Sequence, residues 1–276
     1  MSDSNKGPTR RQAHERKLKR RSMILAAIST SVVVAALVIL IPLTPGWERV
    51  KQSFFNWDIV VRTFPKLLNA FLLDVAIFAW SVPLIAALGL AIALARDVRD
   101  PVFYPLRLFG ILYTDIFRGV PVVLVVYLIG FGIPGLGLQR PFNSPYLWGT
   151  VALVLTYAAY VAEIFRSGIE SIHASQRNAA LSLGMSPSDT MRFVILPQAI
   201  RRVVPAQMNI LIALQKDVAL LSFIGPVEIF RQAGVFKSLL ASFTPYVVAA
   251  AIFLVVTIPA TRLADHMLAK QNRARS

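Results

Sequence analysis

Six charged side chains fall within or beside stretches that are otherwise apolar: Asp74, Asp115, Arg118, Glu163, Lys216 and Asp217. A charge in such surroundings is costly, so it faces a partner, a protein interior or a water-filled path. Glu163 and Arg166 stand three residues apart on one helical face, the spacing of a structural pair. Asp115 and Arg118 share that spacing. Lys216 and Asp217 are adjacent and cannot face each other on a helix, so one of them is expected to pair across helices. Arg118-Gly119-Val120-Pro121 reads as a break in a helix, because proline removes a backbone hydrogen bond. Breaks of this kind expose backbone groups that can line a path for a polar solute. The six charges are therefore candidates for a translocation path, each with structural pairing as its alternative.

The chemistry of an enzyme is missing from the sequence. No G-x-x-x-x-G-K-[ST] phosphate loop occurs, so no ATP or other cofactor is expected on this chain. No H-E-x-x-H occurs, and His14, His173 and His266 are scattered, so no metal site is expected. Cysteine is absent, which excludes disulfides and thiolate ligands.

The elements that position these charges are membrane spans. Apolar residues make up 56% of the 276 residues and charged residues 16%. Soluble domains carry about 25% charged residues, too many for this chain to be one of them. Uncharged or nearly uncharged runs cover 23–43, 75–95, 119–138, 145–162, about 203–224 and 238–261. About 20 apolar residues cross a bilayer core, so six spans are predicted. The first is read as a retained anchor, since its 21 uncharged residues exceed the core of a signal peptide. Net charge is +15, yet eight basic residues crowd positions 1–22 directly before the first span. That is the positive-inside pattern, with attraction to membrane lipid, rather than a nucleic-acid surface. Both termini are placed inside, and residues 44–67, 136–144 and 225–237 outside.

One inside segment, 166–201, is too long for a plain connection. Ala179, Ala180, Leu181 and Leu183 form helix. Gly184 follows where a helix can end at positive φ, and Ser186-Pro187-Ser188 starts another helix. A short helix, a turn and a second short helix are predicted on the inner membrane surface. They could dock into a partner's groove, or simply lie on lipid.

The spacing Asn178-Ala179-Ala180, Gly184, Val194-Ile195-Leu196-Pro197 resembles the EAA loop of bacterial ABC importer permeases. That loop reads Glu-Ala-Ala, three residues, Gly, nine residues, Ile-x-Leu-Pro. Four further stretches resemble the polar amino-acid importers of the histidine/glutamine type. They are IFRGVPVVLVVYLIGFGIP (116–134), AEIFRSGIESI (162–172), VILPQAIRRVVPAQMN (194–209) and LQKDVALLSFIG (214–225). The resemblance covers roughly residues 57–265 and leaves the first span and basic tail outside it. It departs at Asn178, where the family has Glu, at Val218-Ala219, where Thr-Ser is usual, and at Asp74, where a Thr-Leu pair is common.

The resemblance implies an all-α polytopic membrane bundle with five core spans plus one N-terminal anchor, in a bacterial inner membrane. The expected organisation is a basic tail (1–22), an anchor (23–44), a permease domain (57–265) containing the coupling loop (166–201), and a tail (266–276). Implied partners are two ATPase subunits that hold ATP and Mg²⁺, a second permease copy or sister, and an extracytoplasmic solute-binding protein. The coupling residues would be Gln176, Asn178, Ala179, Ala180, Gly184, Met185 and Pro197. The solute would be a polar amino acid or an opine- or ectoine-like relative. A secondary transporter or channel is the alternative that does not need the coupling loop.

Overall fold

The computed structural model describes residues 10–98 and 100–273. Positions 1–9 of the expected basic tail and 274–276 of the other tail lie outside these residues. The chain divides into two compact units between Asn56 and Trp57.

The first unit contains α1 (Arg10–Leu40) and α2 (Trp47–Phe54). Apolar side chains of α1 such as Val32, Leu37 and Val38 are exposed, as a helix meant for lipid requires. In α2, helical spacing puts Trp47, Val50 and Phe54 on one face, with Lys51 at its edge and Glu48 and Arg49 turned elsewhere. This is the pattern of a helix lying in a membrane interface.

The second unit is a helical bundle: α3 (Trp57–Asp97), α4 (Tyr104–Gly119), α5 (Val122–Gly132), α6 (Pro145–Glu170), α7 (Ala174–Ser182), α8 (Pro187–Asp189), α9 (Leu196–Asp217), α10 (Ile229–Leu240) and α11 (Thr244–Arg273). Its centre is α6, which packs on α3, α4, α5 and α9. Small residues permit this: Ala152, Ala158, Ala159 and Ala162 are fully buried. Gly168 lets α9 approach so closely that a Cβ there would collide with the Val203 side chain. The main core joins Ile85, Val126, Leu153, Tyr157, Leu214 and Leu221. A second core joins Leu67 and Phe71 of α3 to Ile229 of α10 and Val248 of α11.

Among the described residues, five helical stretches are long and apolar enough to cross a membrane, and a sixth arises if α4 and α5 count as one broken span. The break lies at Gly119-Val120-Pro121, where the sequence placed it, and bends the pair by 106°. The helices run further than the apolar runs that announced them. α6 continues to Glu170, and the helix begun at Pro187 passes through a π-helical turn (Thr190–Ile195) directly into α9. Within 166–201 the chain therefore leaves the helix only around 171–173 and 183–186. The second short helix is the entry to a span. The last part of that span, Val218–Ile224, tightens to a 3₁₀ helix.

Candidate functional site

Glu163 is the hub of the charged residues. It accepts from Arg96 of α3 at 2.9 Å and from Arg166 of its own helix, and the Arg118 guanidinium stands 3.5 Å away. Arg96 also donates to Thr114 of α4 at 3.1 Å, and Arg166 reaches Glu170. One carboxylate thus gathers three guanidiniums from three helices. The Glu163–Arg166 pairing follows the i, i+3 spacing. Arg118 faces Glu163 rather than Asp115, because α4 ends there and presents its last turn to α6. Asp115 itself is exposed.

Along α6, about 9 Å from Glu163 at the helical rise, Tyr157 donates its hydroxyl to Asp217 of α9 at 2.7 Å. Asp217 therefore makes the cross-helix contact expected of the Lys216-Asp217 pair. Lys216 is exposed and forms no salt bridge among the described residues. α5 starts with no side-chain cap: Leu124 N–H and Val125 N–H turn back to Pro121 O, which leaves Val122 and Val123 as the uncapped N–H donors where the span breaks.

Asp74 lies elsewhere. It is 2% exposed, on the face of α3 that meets α10, and neither carboxylate oxygen makes a well-formed hydrogen bond among the described residues, although the Ile229 N–H lies close by. Its acidic neighbour is Glu228, fully buried, whose carboxyl group caps α10 by accepting from Phe230 N–H at 2.8 Å and Arg231 N–H at 2.7 Å. Burial pushes Glu228 up to about 7, against the opposing pull of these two bonds. Asp74 also borders a cavity of about 250 Å³ between α3, α9 and α11, with Gln215. Glu228 lies outside the apolar runs and so does not stand out in the sequence as a charge within a span. Its signal was the cap itself, an acidic residue directly before a helical run.

The segment 174–186 takes the predicted shape. His173 caps α7, its Nδ1 accepting from Ser175 N–H at 3.2 Å. At the other end Gly184 has φ +81°, Met185 N–H reaches Ala180 O at 3.2 Å, and Gly184 N–H reaches Leu181 O at 3.0 Å. These two bonds form a Schellman ending, which needs the left-handed residue that glycine supplies. Ala180 is buried against the bundle, while Gln176, Asn178, Ala179, Leu181 and Leu183 face outward, Leu183 being 84% exposed. Met185 is half-buried, and Pro197 sits exposed in the first turn of α9. Ser186 accepts from Asp189 N–H at 3.1 Å and so caps the next helix. Arg177 of α7 lies 3.5 Å from Asp97 at the end of α3, a contact no motif had indicated.

Residues 103–273 match the family described as the inner membrane component of binding-protein-dependent transport systems. The chain is similar to the probable amino-acid permease protein YxeN of Bacillus subtilis, with 35% identity over 78% of this chain and 95% of the relative. It is also similar to the probable glutamine ABC transporter permease protein GlnM of the same organism, at 36% identity over 62% of this chain and 77% of the relative. Among solved structures, a chain of an amino acid ABC transporter with histidines superposes with a TM-score of 0.70. Its sequence identity is 31%, over 78% of this chain and 98% of that one. The five-span bundle with its broken helix and outward-facing α7 thus has both a sequence family and a solved counterpart, and the chain belongs to the inner-membrane permease components of binding-protein-dependent ABC importers.

Proposed function

We propose that this chain forms the translocation path of an importer for polar amino acids and that α7 receives its ATPase. The observation that carries the reading is α7. A short helix fixed at both ends turns Asn178, Ala179, Leu181 and Leu183 outward while Ala180 anchors it to the bundle. Small and apolar side chains on a rigid exposed helix suit a partner's groove.

Two ATPase subunits seat on α7 and on its counterpart in a second permease copy or sister, and they alone hold ATP and Mg²⁺. The solute arrives from an extracytoplasmic binding protein. It meets the broken α4–α5 span, with Arg118 and Glu163 at the break and Tyr157, Lys216 and Asp217 further along α6 and α9. The uncapped N–H groups of Val122 and Val123 and the Arg118 guanidinium attract carboxylates, and Asp217 attracts ammonium groups. A zwitterion is served by both. The basic residues of 1–22 and 262–276 support placing both termini on the cytoplasmic side. The substrate class rests on the names of the relatives.

Affinity purification of the tagged chain from its native membrane tests the reading. An ABC ATPase should copurify, and cells overproducing the complex should accumulate carbon-14-labelled glutamine, arginine or glutamate. No ATPase would end the reading. An ATPase with uptake competed only by opines or ectoine would move the substrate class.

A further inference from the structure

The last turn of α3 holds two adjacent residues of opposite charge that reach in different directions. Arg96 donates to Glu163 on α6 and to Thr114 on α4, at 2.9 and 3.1 Å. Asp97 faces Arg177 on α7 at 3.5 Å, across 80 residues of sequence, and both side chains are partly covered. α7 otherwise packs mainly on the π-helical turn Thr190–Ile195, which runs into α9.

A displacement of α7 therefore has two routes into the bundle. One follows the chain through the turn at 183–186 and the π-helical turn to α9. The other crosses from Arg177 to Asp97 and continues through Arg96 to α4 and α6. We infer that the Arg177–Asp97 contact is a positioning pair that passes movement of α7 to the α3–α4–α6 side of the path, so that this side moves together with α9. The inference rests on the reading of α7 as the ATPase-docking helix.

Both residues are placed against the preference of their own helices. A carboxylate at a helix C-terminus meets the negative end of the dipole, and a cation in a first turn meets the positive end. Asp97 is the last residue of α3, and Arg177 is the fourth residue of α7. Neither charge serves its own helix, and each is matched by the other. The chain route, in contrast, passes through Gly184 at φ +81° and through a π-helical turn, both places where a helix yields. A side-chain bridge past these two points keeps α3 in step.

The dipole argument also supplies the test. Exchanging the charges, Asp97→Arg with Arg177→Asp, preserves the pair and places both residues favourably. The readouts are ATPase yield on purification of the full complex, its ATP hydrolysis, and cellular uptake of a mixture of carbon-14-labelled L-amino acids. Asp97→Asn and Arg177→Gln should each lower uptake per ATP hydrolysed about five-fold, the low end of measured couplings. ATPase yield should not change. The double neutral variant should be no worse than either single one, since the two losses are the same contact. The exchanged pair should recover most of the uptake.

Unchanged uptake, additive losses, or an exchanged pair as poor as the singles would overturn the inference. Loss of the ATPase from Arg177→Gln alone would place Arg177 in the docking surface, overturning the inference while leaving α7 as the docking helix. Absence of an ATPase from the wild-type complex would remove the reading of α7 and this inference with it.

Discussion

The guanidinium of Arg96 and the carboxylate of Glu163, 67 residues apart in sequence, meet at 2.9 Å and tie the end of α3 to the central helix α6. The same carboxylate serves Arg118 and Arg166. Glu163→Ala leaves three guanidiniums without their shared partner. Removing one side of a covered ion network costs about 3–5 kcal/mol when burial is complete. Glu163 retains 23% exposure, so a loss of about 1–3 kcal/mol is expected. Thermal unfolding of the purified complex should show a lower Tm, and Arg96→Ala should add little to it.

Arg118 is the most exposed of the three arginines and sits at the break between α4 and α5. Its expected effect is on transport rather than assembly. Arg118→Ala should abolish uptake while ATPase copurification and Tm stay near wild type. Normal uptake by this variant would remove Arg118 from the path.

Gly184 takes φ +81° and completes the Schellman ending of α7. An L side chain in the left-handed region costs about 1–2 kcal/mol per residue. Open space surrounds the position, so a side chain is strained by the backbone and not by neighbours. Gly184→Asp should leave the protein in the membrane but reduce ATPase copurification and separate ATP hydrolysis from uptake. Wild-type transport by Gly184→Asp would return α7 to a helix that only lies on lipid.

These three sites differ in how far the sequence disclosed them. Gly184 was legible because a helix ending is local: small helix formers, one glycine and a serine-proline start lie within ten residues. The break at Gly119-Val120-Pro121 was legible for the same reason. Glu163 with Arg166 followed from helical spacing. The partners Arg96 and Asp97 were not legible, because their contacts depend on how α3 packs against α6 and α7. Spacing along one helix says nothing about which residue of another helix arrives opposite. Asp74 stands out in the sequence as a charge in a span, but its neighbour Glu228 sits 154 positions away, and only the packing of α10 on α3 brings the two together. The continuity of 187–217 was also hidden. Arg192, Arg201 and Arg202 make the first part read as an inner loop, although the backbone remains helical throughout.

Glu228 offers a prediction in pH. Its carboxyl is fully buried at the start of α10, outside the spans, and its folded value of about 7 stands above the ordinary 4.5. Burial is the main cause, and the N–H bonds from Phe230 and Arg231 together with the Arg231 charge oppose it. Between these two values the folded protein keeps a proton that the unfolded chain has released. Stability therefore falls as pH rises through this window. The contribution is full below about pH 4.5, is lost progressively toward pH 7, and does not change further above it. The span of the shift corresponds to about 3 kcal/mol at most. Glu228→Gln keeps the shape and an acceptor oxygen for the α10 cap but carries no titrating proton. Melts of the detergent-purified protein at steps from pH 5 to pH 8 should show Tm falling with pH for wild type. The slope should be smaller for Glu228→Gln, and the two should differ most at the alkaline end, where wild type buries a charge. Equal slopes would mean that Glu228 titrates near its ordinary value, and that water reaches the contact between α3 and α10.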